Sequence, residues 1–169
     1  MIRDNKNIDI DNVQVFVFDF DGVLTNNLVH LDQDGKEFVT CSRSDGLAFD
    51  VLRKLNKSVY ILSTERNSVV TARANKLNIK AIQGVSNKVK SLSEAAKKDN
   101  FEMQNVLYVG NDLNDYKVMQ SCGFSVCPSD SHQKIKEISD IILETTGGNG
   151  VVRELLENIL GLDFIEILY

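Results

Sequence analysis

The sequence predicts an α/β fold, with a Rossmann-like, mostly parallel sheet and helices on both of its faces. The chain has 169 residues, of which 43% are apolar, which suits one domain with a substantial core and is short for two. Short runs of β-branched and aromatic residues alternate with amphipathic stretches of helical period, the pattern that parallel strands joined by helices produce. We therefore assign residues 1–169 to a single domain.

Charge and cysteine usage limit the function classes. The 19 Lys and Arg against 24 Asp and Glu give a net charge of −5, which disfavours nucleic-acid binding but permits a phosphorylated substrate at a local positive site. No apolar run approaches the roughly 20 residues of a membrane span, and residues 1–6 lack the apolar segment of a signal peptide. Cys41, Cys122 and Cys127 match no zinc spacing and indicate free thiols. We expect a cytoplasmic protein that contacts neither nucleic acid nor membrane.

The first part of the chain predicts a buried strand, a hairpin, a helix and a second strand. Residues 13–18, Val-Gln-Val-Phe-Val-Phe, are typical of a buried strand. Residues 28–40 hold two short alternating segments around an Asp-Gly pair, which indicates a β-hairpin. Residues 44–55 place their leucines and valine on one helical face, with Ser44 as a plausible N-cap, and residues 59–62 form the next strand.

The rest of the chain continues the alternation and ends in an apolar segment. The predicted elements are helix 67–77, strand 79–82, helix 86–98, strand 106–109, helix 115–120, strand 124–126, helix 133–138, strand 141–143 and helix 151–160. Residues 147–150, Gly-Gly-Asn-Gly, predict a flexible turn before the last of these helices. The end, residues 164–169, is too apolar for a solvated tail, so it packs either on its own core or on another subunit.

Ligands of parallel sheets gather at the carboxyl ends of the strands, so the residues that follow each strand are the candidates for chemistry. Asp19 and Asp21 follow the first strand, and extended geometry puts both carboxylates on one side of its end. Gly22 lets the chain turn sharply there. The alternative is a loop with two solvated aspartates, or a helix cap.

Three further strand ends add to this pair. They supply a hydroxyl at Ser63, an amine at Lys88, and a second acidic loop with Asn111, Asp112 and Asp115. Taken singly, Ser63 also suits a helix cap and Lys88 a solvated surface. Taken together, the oxygen ligands suit Mg²⁺, while a hydroxyl, a lysine and a helix N-terminus suit a phosphate group.

In kind and order these residues resemble the motifs of the haloacid dehalogenase superfamily of phosphatases. The short hairpin, in place of a cap domain, is similar to the capless tetrameric branch, which includes phosphatases of 3-deoxy-D-manno-octulosonate (KDO) 8-phosphate and of nonulosonate 9-phosphates. The resemblance is carried by 19–25, Asp-Phe-Asp-Gly-Val-Leu-Thr, by 83–88, Gln-Gly-Val-Ser-Asn-Lys, and by 147–154, Gly-Gly-Asn-Gly-Val-Val-Arg-Glu.

The resemblance implies a Mg²⁺-dependent hydrolysis of a phosphorylated 2-keto-3-deoxy sugar acid, either KDO 8-phosphate or a sialic-acid-type 9-phosphate. Asp19 would be the nucleophile that forms an aspartyl-phosphate, and Asp21 the general acid and then the general base. Ser63 would bind the phosphoryl oxygens, and Lys88 would offset negative charge on Asp19 and on the transferring group. The metal ligands implied are Asp19, Asp21, Asn111 and Asp112.

The sequence departs from the family pattern at Asn111, where most relatives carry an aspartate that binds the metal. A neutral oxygen predicts weaker Mg²⁺ binding, with Asp112 or Asp115 as carboxylates that compensate. The departure also favours an alternative function, a weakly active or inactive tetramer-forming domain associated with a CMP-sialate cytidylyltransferase. A receiver domain of the response-regulator type is disfavoured by Asp19, Asp21 and Gly22 following the first strand at once.

Four other residues are candidates for binding the sugar end of the substrate. The resemblance to the nonulosonate-type phosphatases, which carry Glu here where KDO 8-phosphate phosphatases carry Arg, implies that Glu65 pairs with Lys76 on the following helix. A helix-terminal charge and a solvated lysine explain the two residues as well. Asp45 either contacts substrate or caps a helix. In the resembling branch, the tail reaches a neighbouring subunit, so Arg153 would meet the substrate carboxylate there; a surface arginine is the alternative. The branch implies a homotetramer.

Overall fold

A computed structural model describes residues 8–169, so the expectation about residues 1–6 lies outside it. Its strands are β1 (Val15–Phe18), β2 (His30–Leu31), β3 (Glu37–Phe38), β4 (Ser58–Leu62), β5 (Lys80–Ile82), β6 (Val106–Val109), β7 (Phe124–Cys127) and β8 (Ile141–Ile142). Its helices are α1 (Ser44–Lys54), α2 (Val69–Leu77), α3 (Lys88–Asp99), α4 (Tyr116–Ser121), α5 (Gln133–Ile138), α6 (Val151–Glu154) and α7 (Phe164–Leu168).

Six strands form one parallel sheet in the order β5-β4-β1-β6-β7-β8, which confirms the predicted fold class. β2 and β3 pair separately as an antiparallel hairpin, within the predicted segment. β1 lies between β4 and β6, and the ends of these three strands therefore meet at the centre of the sheet's carboxyl edge. After β1 the chain adds β4 and β5 on one side and then β6, β7 and β8 on the other. Open α/β sheets bind ligands at the carboxyl edge where the strand order reverses in this way.

The alternation along each strand divides the core into two layers. On β1, Phe16 and Phe18 face the layer of α1, α2, α6 and α7, while Val15 and Val17 face the layer of α3, α4 and α5. Phe18 meets Phe49 of α1 edge to face, with ring centroids 5.4 Å apart. Strands buried on both faces read as continuous apolar runs, which is why the sequence showed them clearly.

Two helices, α2 and α3, start two residues later than predicted, because side chains in the preceding turns bind the backbone. α2 begins at Val69 rather than at 67, since the Asn67 side chain accepts from the Val69 N–H. α3 begins at Lys88, with Asn87 as its N-cap. Ser44 was wrongly predicted as an N-cap: it is the first residue of α1, and its own N–H donates to the Ser42 hydroxyl.

The C-terminal segment folds back on its own chain, which is one of the two alternatives predicted for it. The helix predicted at 151–160 is α6 followed by a π-helical turn at Leu155–Ile159. Phe164 of α7 is buried in the core, whereas Ile165 and Tyr169 remain largely exposed. Within residues 8–169, no helix is long and apolar enough to cross a membrane.

Candidate active site

Asp19 follows β1 directly, and its carboxylate is held in one orientation. Its Oδ1 atom accepts a hydrogen bond of 2.8 Å from the Phe20 N–H and lies 2.9 Å from the Lys88 Nζ. Among the described residues, no hydrogen-bond donor engages the Oδ2 atom. One oxygen of the carboxylate is therefore fixed by the protein, and the other is free to react.

The turn after Asp19, Phe20–Leu24, requires glycine at position 22. Gly22 has φ of +83°, and a Cβ there would lie only 1.9 Å from the Nδ2 of Asn111. The buried Thr25 hydroxyl accepts from the Gly22 N–H at 3.2 Å and closes the turn. The first acidic loop is thereby packed directly against the second.

Lys88 begins α3 and carries its ammonium group into the interior beside two carboxylates. Its Nζ lies 2.9 Å from Asp19 and 2.6 Å from Asp115, and all three side chains are buried. Burial by itself would lower the pKa of Lys88, but the two carboxylates raise it overall. Burial and the charge of Asp115 raise the pKa of Asp19 well above its ordinary value, against the opposing effect of Lys88. The Lys88 ammonium therefore favours the ionised form of Asp19.

Asp115 is the centre of this buried network, a role that the sequence analysis did not assign to it. Its Oδ1 accepts from the Lys88 ammonium and, at 2.8 Å, from the Tyr108 hydroxyl, and its Oδ2 accepts from the Asn111 N–H at 2.9 Å. A Cβ at Gly110 would lie 2.7 Å from the Asp115 side chain, so glycine is needed there. As a carboxylate that compensates at the metal, Asp115 stays a prediction; in this structure both of its oxygens accept hydrogen bonds from the protein.

A small cavity of about 80 Å³ opens beside Asp19 at the carboxyl edge of the sheet. It is lined by Asp19, Asp21, Asn27, Ser63, Thr64, Asn111, Asp112 and Asn114. Ser63, directly after β4, is buried and accepts from the Glu65 N–H at 3.1 Å, so it both closes its loop and faces the cavity. Five of the residues predicted for catalysis and metal binding meet here, and Lys88 reaches the same place through its contact with Asp19.

The oxygen atoms of this cavity fit a divalent cation. The Asn111 Oδ1 is buried and has no hydrogen-bond partner within the described chain, which is costly unless another group binds it. Asp19 and Asp21 line the same cavity, as does Asp112, whose Oδ1 also accepts from the Leu113 N–H at 2.7 Å. Residues 8–169 contain no group of three or more His, Cys, Asp or Glu that could hold a metal without another kind of ligand. The set of oxygen ligands for a cation is therefore complete only if it includes the Asn111 Oδ1.

Asp21 has the electrostatic surroundings of a proton donor. It is half-buried, and burial followed by the negative charges of Glu65 and Glu37 raises its pKa. A carboxyl group with a raised pKa holds its proton closer to neutral pH, which is what a general acid requires. The two aspartates after β1 thus differ in surroundings, one paired with a lysine and the other facing acidic neighbours.

A sequence profile of haloacid dehalogenase-like hydrolases matches residues 47–155, which is more than half of the chain. This chain belongs to that family. A relative from Salmonella typhi, named 3-deoxy-D-manno-octulosonate 8-phosphate phosphatase, is 32% identical over 151 residues, 89% of this chain and 80% of its own. The prediction that this haloacid dehalogenase-like hydrolase is a phosphatase is confirmed at the level of the family and its relatives.

Solved structures agree with this family membership. A protein described as a HAD family hydrolase from Streptomyces avermitilis is 36% identical, with a TM-score of 0.91 over 95% of this chain and 92% of its own. The 3-deoxy-D-manno-octulosonate 8-phosphate phosphatase of Moraxella catarrhalis, solved with magnesium, phosphate and KDO, is 31% identical, with a TM-score of 0.85. That match covers 90% of this chain and 88% of the other.

Glu65 and Lys76 do not form the predicted pair in this hydrolase. The Glu65 Oε1 accepts from the N–H groups of Arg66 and Asn67 at 2.6 and 2.7 Å, so it caps the turn that leads into α2. Lys76 lies in a separate groove of about 710 Å³ between α1, α2 and the hairpin. The alternative given for Glu65, a charge near a helix start, describes its contacts here.

Two alternatives were predicted for Asp45, a contact with substrate or a helix cap, and its contacts within the chain are those of a cap. Its side chain is buried, and its Oδ1 accepts from the N–H groups of Val152 and Arg153 at 3.0 and 3.2 Å. Asp45 therefore caps α6 from across the core and ties α1 to the C-terminal segment. The cap alternative is correct, although the helix that it caps is remote in sequence and was not foreseen.

Arg153 lies outside the catalytic cavity of its own chain. Its Nε is 2.6 Å from the Glu157 carboxylate, and its guanidinium stacks 4.7 Å from the centroid of the Phe164 ring. Its contacts within the chain are those of a half-exposed arginine on a helix. A contact with a neighbouring subunit stays a prediction.

Proposed function

We propose that this protein hydrolyses the phosphate ester of a phosphorylated 2-keto-3-deoxy sugar acid, with Mg²⁺ as cofactor and Asp19 as the nucleophile. The observation that carries the proposal is the buried contact of Asp19 with Lys88, 2.9 Å long, at the wall of a cavity lined by oxygen ligands. The alternative considered from the sequence, a loop with two solvated aspartates, would have neither a buried Asp19 nor its contact with Lys88.

In the first displacement, the free Oδ2 of Asp19 attacks phosphorus and forms an aspartyl-phosphate, while the bond from phosphorus to the sugar oxygen breaks. Asp21 gives its proton to the departing alkoxide, which leaves as an alcohol. Lys88 and the Ser63 hydroxyl bind the phosphoryl oxygens, whose charge must be offset as the group transfers.

In the second displacement, Asp21, now ionised, takes a proton from water as that water attacks phosphorus. The bond from phosphorus to Asp19 breaks, inorganic phosphate is released, and Asp19 returns as a carboxylate. Asp21 regains its proton in this step, so both residues end the cycle as they began it. The raised pKa of Asp21 supports this exchange of roles at a single carboxyl group.

The cation would be held by the Asp19 carboxylate, the Asp21 backbone carbonyl and the Asn111 Oδ1, with Asp112 directly or through water. Mg²⁺ bound there would supply positive charge in addition to that of Lys88 and so help to offset the negative charge of the transferring group. The buried Asn111 oxygen without a partner supports this assignment.

The substrate class follows from relatives and from the size of the cavity. The Salmonella and Moraxella relatives are named as phosphatases of KDO 8-phosphate. A cavity of about 80 Å³ admits a phosphoryl group but is far smaller than the several hundred Å³ of sites that enclose a whole small molecule. The sugar acid would therefore lie outside it, as either KDO 8-phosphate or a nonulosonate 9-phosphate.

A homotetramer would supply the missing contacts to the sugar. The hairpin leaves four large apolar side chains more than half exposed, Leu28, Val29, Leu31 and Phe38. A two-stranded sheet with free edges and exposed apolar side chains suits association with a second copy of itself. In such an assembly, the neighbour's tail would bring Arg153 towards the substrate carboxylate.

One observation favours a second candidate, a weakly active or inactive tetramer-forming domain associated with a CMP-sialate cytidylyltransferase. Asn111 supplies an amide where a carboxylate would bind Mg²⁺ more strongly. The remaining catalytic side chains are all in place, which favours the enzyme over this alternative.

Phosphate release from KDO 8-phosphate, a nonulosonate 9-phosphate and p-nitrophenyl phosphate separates the two candidates. We expect turnover of at least one sugar-acid phosphate in Mg²⁺, none in EDTA, and a lower kcat/KM for p-nitrophenyl phosphate. Absence of release from every ester at saturating Mg²⁺ would leave the assembly role as the better description.

A further inference from the structure

Tyr108 is a fully buried tyrosine in the central strand β6, next to the proposed site. Its ring lies in the apolar layer under α3 and α4, where phenylalanine would pack as well. Its hydroxyl donates to the Asp115 Oδ1 at 2.8 Å. A buried hydroxyl is costly without a partner, and here the partner is the carboxylate that holds Lys88.

The contact between Tyr108 and Asp115 affects the position of the Lys88 ammonium group and therefore the use of its donors. An ammonium group has three N–H donors, and two of them are directed at Asp19 and Asp115. One donor is left for a phosphoryl oxygen, provided that the ammonium stays between the two carboxylates. The distances of 2.9 Å to Asp19 and 2.6 Å to Asp115 place it there.

We propose that Tyr108 is a positioning residue for the hydrolysis: its hydroxyl fixes Asp115, which in turn holds Lys88 against Asp19. The inference rests on the proposed function, since it assigns a role within the same site. Without the hydroxyl, the Asp115 Oδ1 has Lys88 as its one donor, and the ammonium group shifts towards it and away from the nucleophile.

The chemistry of the hydroxyl agrees with a role as a permanent donor. Burial, and then the charges of Asp115 and Asp19, raise the pKa of Tyr108 well above its ordinary value, so the hydroxyl keeps its proton. Within residues 8–169, Tyr108 and Lys88 are the donors to the Asp115 Oδ1, while the Asn111 N–H donates to Oδ2, so no further donor replaces the tyrosine at Oδ1.

Tyr60 offers a matched control on the same face of the sheet. It sits on β4 and pairs with Val17 from one side, while Tyr108 pairs with Val17 from the other. Its hydroxyl donates to Asp99 and accepts from Lys80. Asp99 ends α3, about 16 Å along the helix axis from Lys88 at its start. Tyr60→Phe thus removes a similar hydroxyl that is remote from the site.

The test compares kcat and KM of Tyr108→Phe, Tyr60→Phe and the wild type on p-nitrophenyl phosphate at saturating Mg²⁺, together with their melting temperatures. We expect Tyr108→Phe to lower kcat roughly tenfold with KM within about twofold, and Tyr60→Phe to leave kcat within about twofold. An unchanged kcat in Tyr108→Phe, or an equal loss in Tyr60→Phe, would overturn the inference.

Asp115→Asn keeps the proposal testable if Tyr108→Phe does not fold. It retains an acceptor for the tyrosine but removes the charge that holds Lys88, so we expect a larger fall in kcat than in Tyr108→Phe. Wild-type kcat in Asp115→Asn would refute a role exerted through Lys88. An inactive wild type would instead refute the proposed function, and this inference with it.

Discussion

Asn111 shows how a single side chain sets the behaviour of the site. Its oxygen is buried without a partner beside Asp19 and Asp21, and its Nδ2 packs against Gly22. The amide is small enough to preserve the contact between the two acidic loops, but it brings one negative charge fewer than a carboxylate. The strength of metal binding, rather than the arrangement of the site, is the property that this residue changes.

Asn111→Asp should tighten Mg²⁺ binding roughly tenfold, equivalent to about 1.4 kcal/mol, because a charged ligand replaces a neutral one. The change in affinity is measured as the Mg²⁺ concentration that gives half-maximal phosphate release. Asn114→Asp, which adds a charge at another residue that lines the same cavity, is the control and should shift this concentration less. Equal shifts would mean that charge alone matters and that residue 111 is not a ligand.

Asp45 is a second residue whose surroundings predict a measurable effect. Burial raises its pKa to about 6, against the opposing effects of the Arg153 and Val152 N–H groups and of Arg73. The folded state therefore holds a proton between about pH 4 and 6 that the unfolded chain has already released. Stability from this group is greatest below pH 4 and is lost as pH rises through about 6.

Asp45→Asn should become more stable relative to wild type as pH rises from 4.5 to 7.5, by about 2 kcal/mol, because the amide cannot ionise and keeps an oxygen for the cap. Urea unfolding at a series of pH values measures the difference. Asp163→Asn, on the exposed cap of α7, controls for the loss of one negative charge. A difference that does not vary with pH would contradict this account of Asp45.

At the scale of elements, the C-terminal turn supports the catalytic loop directly. The Gly148 N–H donates to the Val23 carbonyl at 2.9 Å, and Gly147 packs against the backbone of Gly22. Asp45 holds the helix that follows this turn. The loop that carries Asp21 is thus supported from behind by a segment more than 120 residues away in sequence.

Gly147→Ala should disturb that support, because an added Cβ would lie 2.2 Å from the Gly22 carbonyl oxygen. We expect a loss of about 1–3 kcal/mol in unfolding free energy and a lower kcat, measured by urea titration and phosphate release. Gly46→Ala inside α1 meets nothing closer than 3.9 Å, so it should leave kcat unchanged and raise the unfolding free energy by up to about 1 kcal/mol. Wild-type kcat in Gly147→Ala would show that the turn does not position the catalytic loop.

Strands could be predicted from the sequence where burial on both faces requires a continuous run of apolar residues, as at β1, β4 and β6. The ends of elements were less predictable, because local hydrogen bonds such as that of Asn67 decide where a helix starts. The cavity residues were predictable because parallel strands bring their ends together. The roles of Asp115 and Asp45 were not, since each depends on a partner that only the packed fold brings near.

At the scale of the whole molecule, the apolar surface is concentrated on the hairpin. α7 covers part of the core of its own chain, so it contributes less exposed surface than its sequence suggested. Leu31 and Phe38 on the hairpin remain 67% and 56% exposed. The hairpin is therefore the surface that assembly would bury.

Leu31→Lys should dissociate the proposed tetramer and leave the fold intact, because the side chain touches solvent in the single chain and a charge opposes its burial between copies. Light scattering of the purified protein measures the mass. Ile142→Lys, an exposed apolar residue on the edge strand β8, is the control and should keep the mass of the wild type. A monomeric wild type would refute the tetramer, and a tetrameric Leu31→Lys would place the contact elsewhere.

The central claim is that Asp19 attacks the phosphate ester, and phosphate release by Asp19→Asn tests it most directly. The amide keeps the size of the side chain but cannot act as the nucleophile, so we expect no release above background in Mg²⁺ with a melting temperature close to that of the wild type. Asp112→Asn, on the same cavity, should retain measurable turnover. Phosphate release by folded Asp19→Asn at the wild-type rate would contradict the account.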